Sequence, residues 1–144
     1  MAHALHQARQ AFENDEVPVG AVLIHKIQGV IFEGHNLVEK TGNPLDHAEM
    51  LAIRAGQKTL NLPFLEDCTL YVTLEPCLVC AAALIAVRLP NLVFGAYNPK
   101  GGAVVHGPAL GGDRLPYVGG VLEARCGDIL QKFFTQKRGG SSHP

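Results

Sequence analysis

The chain has 144 residues, 47% of them hydrophobic and 17% charged, with a net charge of -1. That composition suits one domain with a core of its own and excludes a disordered chain. It also excludes a polyanion binder held by bulk charge, so any nucleic-acid contact requires a local basic patch. The opening residues lack the basic start and apolar block of a secretory signal, and no stretch reaches the roughly 18 unbroken apolar residues of a membrane span. The expectation is a soluble cytoplasmic protein with no membrane segment. In that reducing setting close-set cysteines more often bind metal than pair with each other.

Leu5, Ala8 and Phe12 recur at helical spacing and predict an amphipathic helix over the first dozen residues. Residues 17–24 and 29–33 are rich in β-branched side chains and predict a hairpin turning at residues 25–28. Gly42-Asn43-Pro44 breaks the chain. Asp46 and Glu49 have capping-box spacing and predict a helix with Ala48, Leu51, Ala52 and Ala55 on one face, stopped at Asn61-Leu62-Pro63. Residues 69–73 read as a strand, and Pro76 suits the first turn of a helix running to about Arg88. Residues 91–96 are a further strand, and the Gly- and Pro-rich residues 97–120 a long loop. A last helix covers residues 122–137, so that 1–138 form a single domain and 139–144 a disordered tail. The alternation predicts an α/β fold, a three-layer α/β/α sandwich with a mixed central sheet.

Cys77 and Cys80 form a C-x-x-C pair expected at a helix start, where the electropositive end favours thiolates. With His47 they make three zinc ligands, one Zn2+ per subunit, and leave the fourth tetrahedral position for water. That marks a catalytic rather than a structural site. Glu49 is placed to take the proton of such a water and return it to a substrate nitrogen. Residues i and i+2 of a regular helix point about 200° apart, so His47 should sit at the irregular edge of its helix with Glu49 folding back. Cys68 and Cys126 read as small buried apolar side chains. The remaining histidines read as solvated or loop residues, with His35 and His106 as candidates to line a cleft.

His47-Ala48-Glu49 followed by Pro76-Cys77-x-x-Cys80 is the pattern of zinc nucleobase deaminases. Together with Glu16 to Val22, Gly34-His35-Asn36, Thr69 to Cys80, Phe94-Gly95-Ala96, Pro99 to Ala103 and Phe133-Phe134, the chain resembles the bacterial tRNA adenosine deaminases of the cytidine-deaminase superfamily. The resemblance implies zinc on His47, Cys77 and Cys80, with Glu49 as proton shuttle. It implies that Asn36 hydrogen-bonds the purine, that the Ala48 backbone N–H orients it, and that Val17 and Leu74 wall its pocket. It implies hydrolysis of adenosine to inosine in a tRNA anticodon stem-loop, by a homodimer.

Asn98 departs from the acidic residue usual in that family, which extends the expected substrates to single-stranded DNA. Residues 107–116 depart as well, lacking the aromatic- and histidine-containing stretch of many relatives. Lys100 lies in a family motif, and Phe134, Lys137 and Arg138 combine a stacking ring with charge; these four are the expected RNA contacts.

Plainer readings stand beside these. Asp46-x-x-Glu49 alone is a helix cap, C-x-x-C alone a redox pair, Asn36 and Asn98 turn residues, and Lys137 and Arg138 complements to a helix C-terminus. Phe133 and Phe134 are adjacent, so one should be core and the other a partner contact. Two other functions also fit the sequence, a deaminase of free bases or nucleosides and a non-catalytic zinc-stabilised subunit.

Overall fold

In the computed structural model, described for residues 1–105 and 114–141, the elements are α1 (Ala2–Glu13), β1 (Gly20–His25), β2 (Ile31–His35), α2 (Val38–Thr41), α3 (Ala48–Leu60), β3 (Cys68–Leu74), α4 (Leu78–Ala86), β4 (Asn91–Ala96), β5 (Tyr117–Val118) and α5 (Glu123–Ser141). The strands form one mixed sheet in the order β2-β1-β3-β4-β5. β1 runs antiparallel to β2 and β3, whereas β3, β4 and β5 are parallel. Gly20 pairs with His35, Ala21 with Val72, and Leu74 with Ala96. The start of β1 therefore lies at the same end of the sheet as the finish of β2, β3 and β4. Residues that enter β1 and leave the other three strands come out together, where open α/β sheets hold ligands.

Successive residues of a strand face opposite sides of the sheet. A Cβ at Gly20 would lie 2.0 Å from the Ala4 carbonyl oxygen, and one at Gly34, the partner of Ala21, 2.4 Å from that of Ala48. Positions 20 and 21 thus press on different helices, α1 on one face and α3 on the other. α5 packs beside α1, and α4 beside α3. This is the three-layer sandwich expected from the sequence. The larger core is built on Leu23, Leu70, Val72, Leu92 and Phe94, with Ile53 and Leu84 from the helices. Each such side chain contributes about 1.5–3 kcal/mol on full burial.

Several local expectations need correction. Asp46 does not cap α3: its Oδ1 accepts a hydrogen bond from Arg54 Nη2 at 2.6 Å, and His47 is the N-cap. The buried stripe of α3 is Ala48, Glu49, Ala52, Ile53 and Gly56, because the polar Glu49 turns inward and Leu51 does not. Pro76 precedes the N-cap Cys77 instead of entering the helix, and α4 stops at Ala86. The four-residue α2 and the exposed two-residue β5 are too short for a periodic signal. α5 continues through Gly139 to Ser141, into the stretch expected as tail; residues 142–144 lie outside the described residues. His25 is a buried strand residue whose Nδ1 accepts from the Gln28 N–H, not a solvated one.

Two glycine substitutions separate close packing from helix propensity. Gly20→Ala forces α1 off the sheet and is expected to cost about 2 kcal/mol. Gly127→Ala, where an added Cβ meets nothing within 4 Å, should stabilise by about 0.5–1 kcal/mol. Urea midpoints at unchanged m values check both.

Candidate active site

α3 and α4 both begin at the end of the sheet where these segments gather, and each begins on a predicted metal ligand. His47 and Cys77 are the two N-caps, with extended backbone (ψ 156 and 174) and no side-chain capping bond. Their carbonyls already accept the first helical hydrogen bonds, from Leu51 at 3.1 Å and Ala81 at 2.8 Å. An N-cap side chain is ordinarily a Ser, Thr, Asp or Asn turned back onto the helix. Here both turn toward each other. His47 Nδ1 lies 3.3 Å from Cys80 Sγ and 3.7 Å from Cys77 Sγ, and the three candidate ligand atoms all fall within 4.8 Å of one another. A tetrahedral zinc with ordinary Zn–S and Zn–N bonds separates nitrogen from sulfur by about 3.6 Å. The residues fit the ion.

The thiol chemistry agrees. A hydrogen bond from the Cys80 thiol is the chief reason that the Cys77 thiol is held down at about 5, despite its own burial. The same bond, together with burial and the Glu49 charge, pushes Cys80 up. Side by side the sulfurs hold one proton between them; a divalent cation lifts that constraint and admits both thiolates. Glu49 is 4% exposed, and burial raises its carboxyl above the usual carboxylate range. The i, i+2 conflict disappears because His47 stands outside the helix proper while Glu49 occupies its first turn.

These residues open on a cavity of about 200 Å³ lined by His47, Ala48, Glu49 and Cys77. Val17, Asn36, Leu74 and Asn98 complete its wall, so all five residues expected to meet substrate border one space. His35 is not among its lining; its Nδ1 sits 3.1 Å from Gln7 Oε1 on the α1 side. His106 and most of the divergent 107–116 stretch lie outside the described residues.

Next to this cavity, and sharing Val17 with it, a groove of about 770 Å³ runs along Lys40, Phe133, Phe134 and Lys137. Phe133 is buried against Phe12 at 6.0 Å between centroids, whereas Phe134 is 44% exposed. Lys137 Nζ pairs with Asp15 Oδ2 at 2.6 Å. Arg138 is exposed and donates to Thr135 Oγ1, and Lys100 is exposed in the turn after Asn98.

Two buried carboxylates that sequence reasoning assigned no role border the site. Glu16 accepts from the N–H groups of Glu39 and Lys40 at 2.9 and 2.8 Å, which ties α2 to the Val17 wall. Glu75, 1% exposed, accepts from the loop after β4. The available signal was a lone charge beside an apolar run, since a carboxylate dragged inside must find donors.

Comparison with known proteins agrees with this geometry. Residues 1–96 match the cytidine and deoxycytidylate deaminase zinc-binding region. The tRNA-specific adenosine deaminase of Bacillus subtilis is 42% identical over 146 residues, covering 96% of this chain and 88% of that one. The enzyme of the same name from Haemophilus influenzae is 40% identical, covering 96% and 83%. This chain belongs to the zinc-binding deaminase family of those tRNA-specific enzymes. A solved structure from work on A-to-I editing by tRNA:A34 deaminases at the wobble position superimposes with a TM-score of 0.81 at 36% identity, over 90% of this chain and 100% of that one. A guanine deaminase from Nitrosomonas europaea shares the fold (TM-score 0.79) at 21% identity, over 92% and 81%. The protein is thus a zinc-dependent deaminase whose only His/Cys/Asp/Glu cluster suited to a metal, among the described residues, is His47, Cys77 and Cys80.

Purified protein is expected to carry one zinc per chain. His47→Ala, Cys77→Ala and Cys80→Ala should each abolish that content by elemental analysis, while Cys68→Ala, buried away from the cluster, should keep it.

Proposed function

We propose that this protein hydrolyses adenosine to inosine at the wobble position of a tRNA anticodon loop. The observation that carries this reading is the pairing of a small cavity with a long groove. At about 200 Å³ the cavity is smaller than the roughly 300–1,000 Å³ that hold whole small-molecule ligands. It suits one base taken out of its stack, with the rest of the nucleic acid left outside. The groove beyond Val17 provides for that remainder, with Phe134 as a stacking surface and Lys40 for a phosphate, although Asp15, Glu16 and Glu39 also line it and Asp15 pairs with Lys137. A free-base deaminase has no use for such a groove.

When bound, zinc supplies a Lewis-acidic site that brings the pKa of a coordinated water toward neutrality. His47, Cys77 and Cys80 hold the ion. Asn36 and the Ala48 N–H orient the purine through hydrogen bonds, and Val17 and Leu74 close on its faces. Glu49 accepts the proton of the water that adds to C6 and passes protons to the departing amine, so that water and adenosine become inosine and ammonia. Its raised pKa suits both halves of that exchange. A helix-end setting also keeps it in reach, because the first turn of α3 points at the cavity.

Asn98 extends the reading to single-stranded DNA. Its Oδ1 accepts from the Gly101 N–H at 3.1 Å, so its amide presents hydrogens and no charge to a sugar. The location we assign is the cytoplasm, where tRNA is modified and the four free cysteines keep their thiols; no helix of the described residues is long and apolar enough to cross a membrane.

The test is inosine formation in an anticodon stem-loop, with free adenosine as control. Glu49→Gln should lose at least about 100-fold in kcat while keeping its zinc; loss of zinc with no change in any deamination rate would favour a non-catalytic subunit. Asn98→Asp should lower the DNA-to-RNA rate ratio, and an unchanged ratio removes the DNA extension.

We also propose a homodimer formed through α4. No charged residue occurs between Leu78 and Ala86, yet Leu78 and Val79 are 48% and 50% exposed. Such a face is stable in water when a second copy covers it. Val79→Glu should move the protein from dimer to monomer in sedimentation experiments.

A further inference from the structure

β3 ends at Leu74, and the metal-binding segment begins at Cys77. Between them Glu75 points into the protein and is 1% exposed. Its Oε1 accepts from the Asn98 N–H at 3.0 Å, and its Oε2 from the N–H groups of Val104 at 3.2 Å and Val105 at 2.9 Å. A buried carboxylate is tolerated when its oxygens are satisfied, and here the donors come from both ends of one loop. The backbone of that loop lies directly on the carboxylate: a Cβ at Gly102 would fall 2.4 Å from Glu75 Cδ. Two further bonds tie the loop to the same strand-helix junction. Gly102 bridges to Cys77, and the Ala103 N–H donates to the Pro76 oxygen at 2.8 Å.

We propose that Glu75 is a positioning residue for substrate, a buried clamp that sets the shape of loop 98–105 so that Asn98 meets the bound nucleotide. This rests on the deaminase reading above. Glu75 borders the cavity, but both its oxygens are engaged by loop amides, so it acts through Asn98 and not on the reacting atoms. Gly102 of the loop bridges to Cys77, but Cys77 keeps a second anchor as the N-cap of α4, which holds the metal ligand when the clamp is lost. Loss of the clamp therefore loosens the wall that holds the nucleotide and leaves the ligands and Glu49 in place.

Glu75→Gln keeps the shape of the side chain but turns one acceptor into a donor facing an N–H. It should retain its zinc, raise KM for the stem-loop about tenfold, and lower kcat far less. Asn98→Ala should cost less in the Glu75→Gln background than in the wild type, as expected of coupled residues. Gly102→Ala, which presses on the carboxylate from the loop side, should reproduce the KM effect. Amide hydrogen exchange at Asn98, Val104 and Val105 should quicken in Glu75→Gln. That measurement needs no turnover, so a wild type inactive on this RNA would count against the tRNA reading and not against the clamp. Loss of zinc, an unchanged KM, or additive effects of Glu75 and Asn98 would each overturn the proposal.

Discussion

Two helix N-termini converge on one metal position, and the rest of the site depends on that convergence. An N-cap residue is the last in the chain with freedom to depart from helical backbone angles before the helix sets in. Placing His47 and Cys77 there releases their side chains from the helix surface and aims both at a common point. Cys80 joins from the first turn of α4, three residues on. The positive end of α4 lies at Cys77, which favours its thiolate over the thiol. The usual capping hydrogen bond is forgone at both helices, and metal ligation takes its place.

That convergence is possible because of strand direction. β3 and β4 run parallel and β1 runs against them. One end of the sheet therefore collects the approach to β1 and the exits of β2, β3 and β4. Val17 and Asn36 come from the hairpin side, Leu74 and Cys77 from the centre, Asn98 from the far side. None of these residues is close to all the others in sequence, and the sheet register alone makes them neighbours. α3 crosses the opposite face from α1 and returns its first turn to the same end, carrying Ala48 and Glu49.

Much of this was legible beforehand, for physical reasons that can be named. The strands at residues 69–73 and 91–96 carry dense β-branched and aromatic runs, and their observed bounds, Cys68–Leu74 and Asn91–Ala96, differ little. The conflict between His47 and Glu49 on a regular helix also pointed to its own solution, a helix that starts after the histidine. The capping box misled because spacing alone does not distinguish a carboxylate that turns back on its helix from one that reaches Arg54. The face of α3 was read one step away from the truth because the pattern assumed that buried means apolar, and Glu49 is a buried carboxylate beside the cavity. β5 was missed for a different reason. Two half-exposed residues are too few to leave a periodic trace; their pairing with Leu92 and Val93 is a product of the fold.

Three buried glutamates mark where sequence alone stops. Glu16, Glu49 and Glu75 are each 4% exposed or less, and nothing in their residue type separates them. Their surroundings do. Glu16 takes the N–H groups of Glu39 and Lys40 in α2, and Glu75 takes three from the loop after β4, which commits their oxygens to holding backbone in place. In Glu49 burial dominates and raises the pKa, the condition that a group must meet to gain and lose a proton near neutral pH. Two of the three thus hold backbone beside the cavity, whereas the Glu49 carboxyl lines it next to His47 and Cys77, where the proposed proton shuttle needs it.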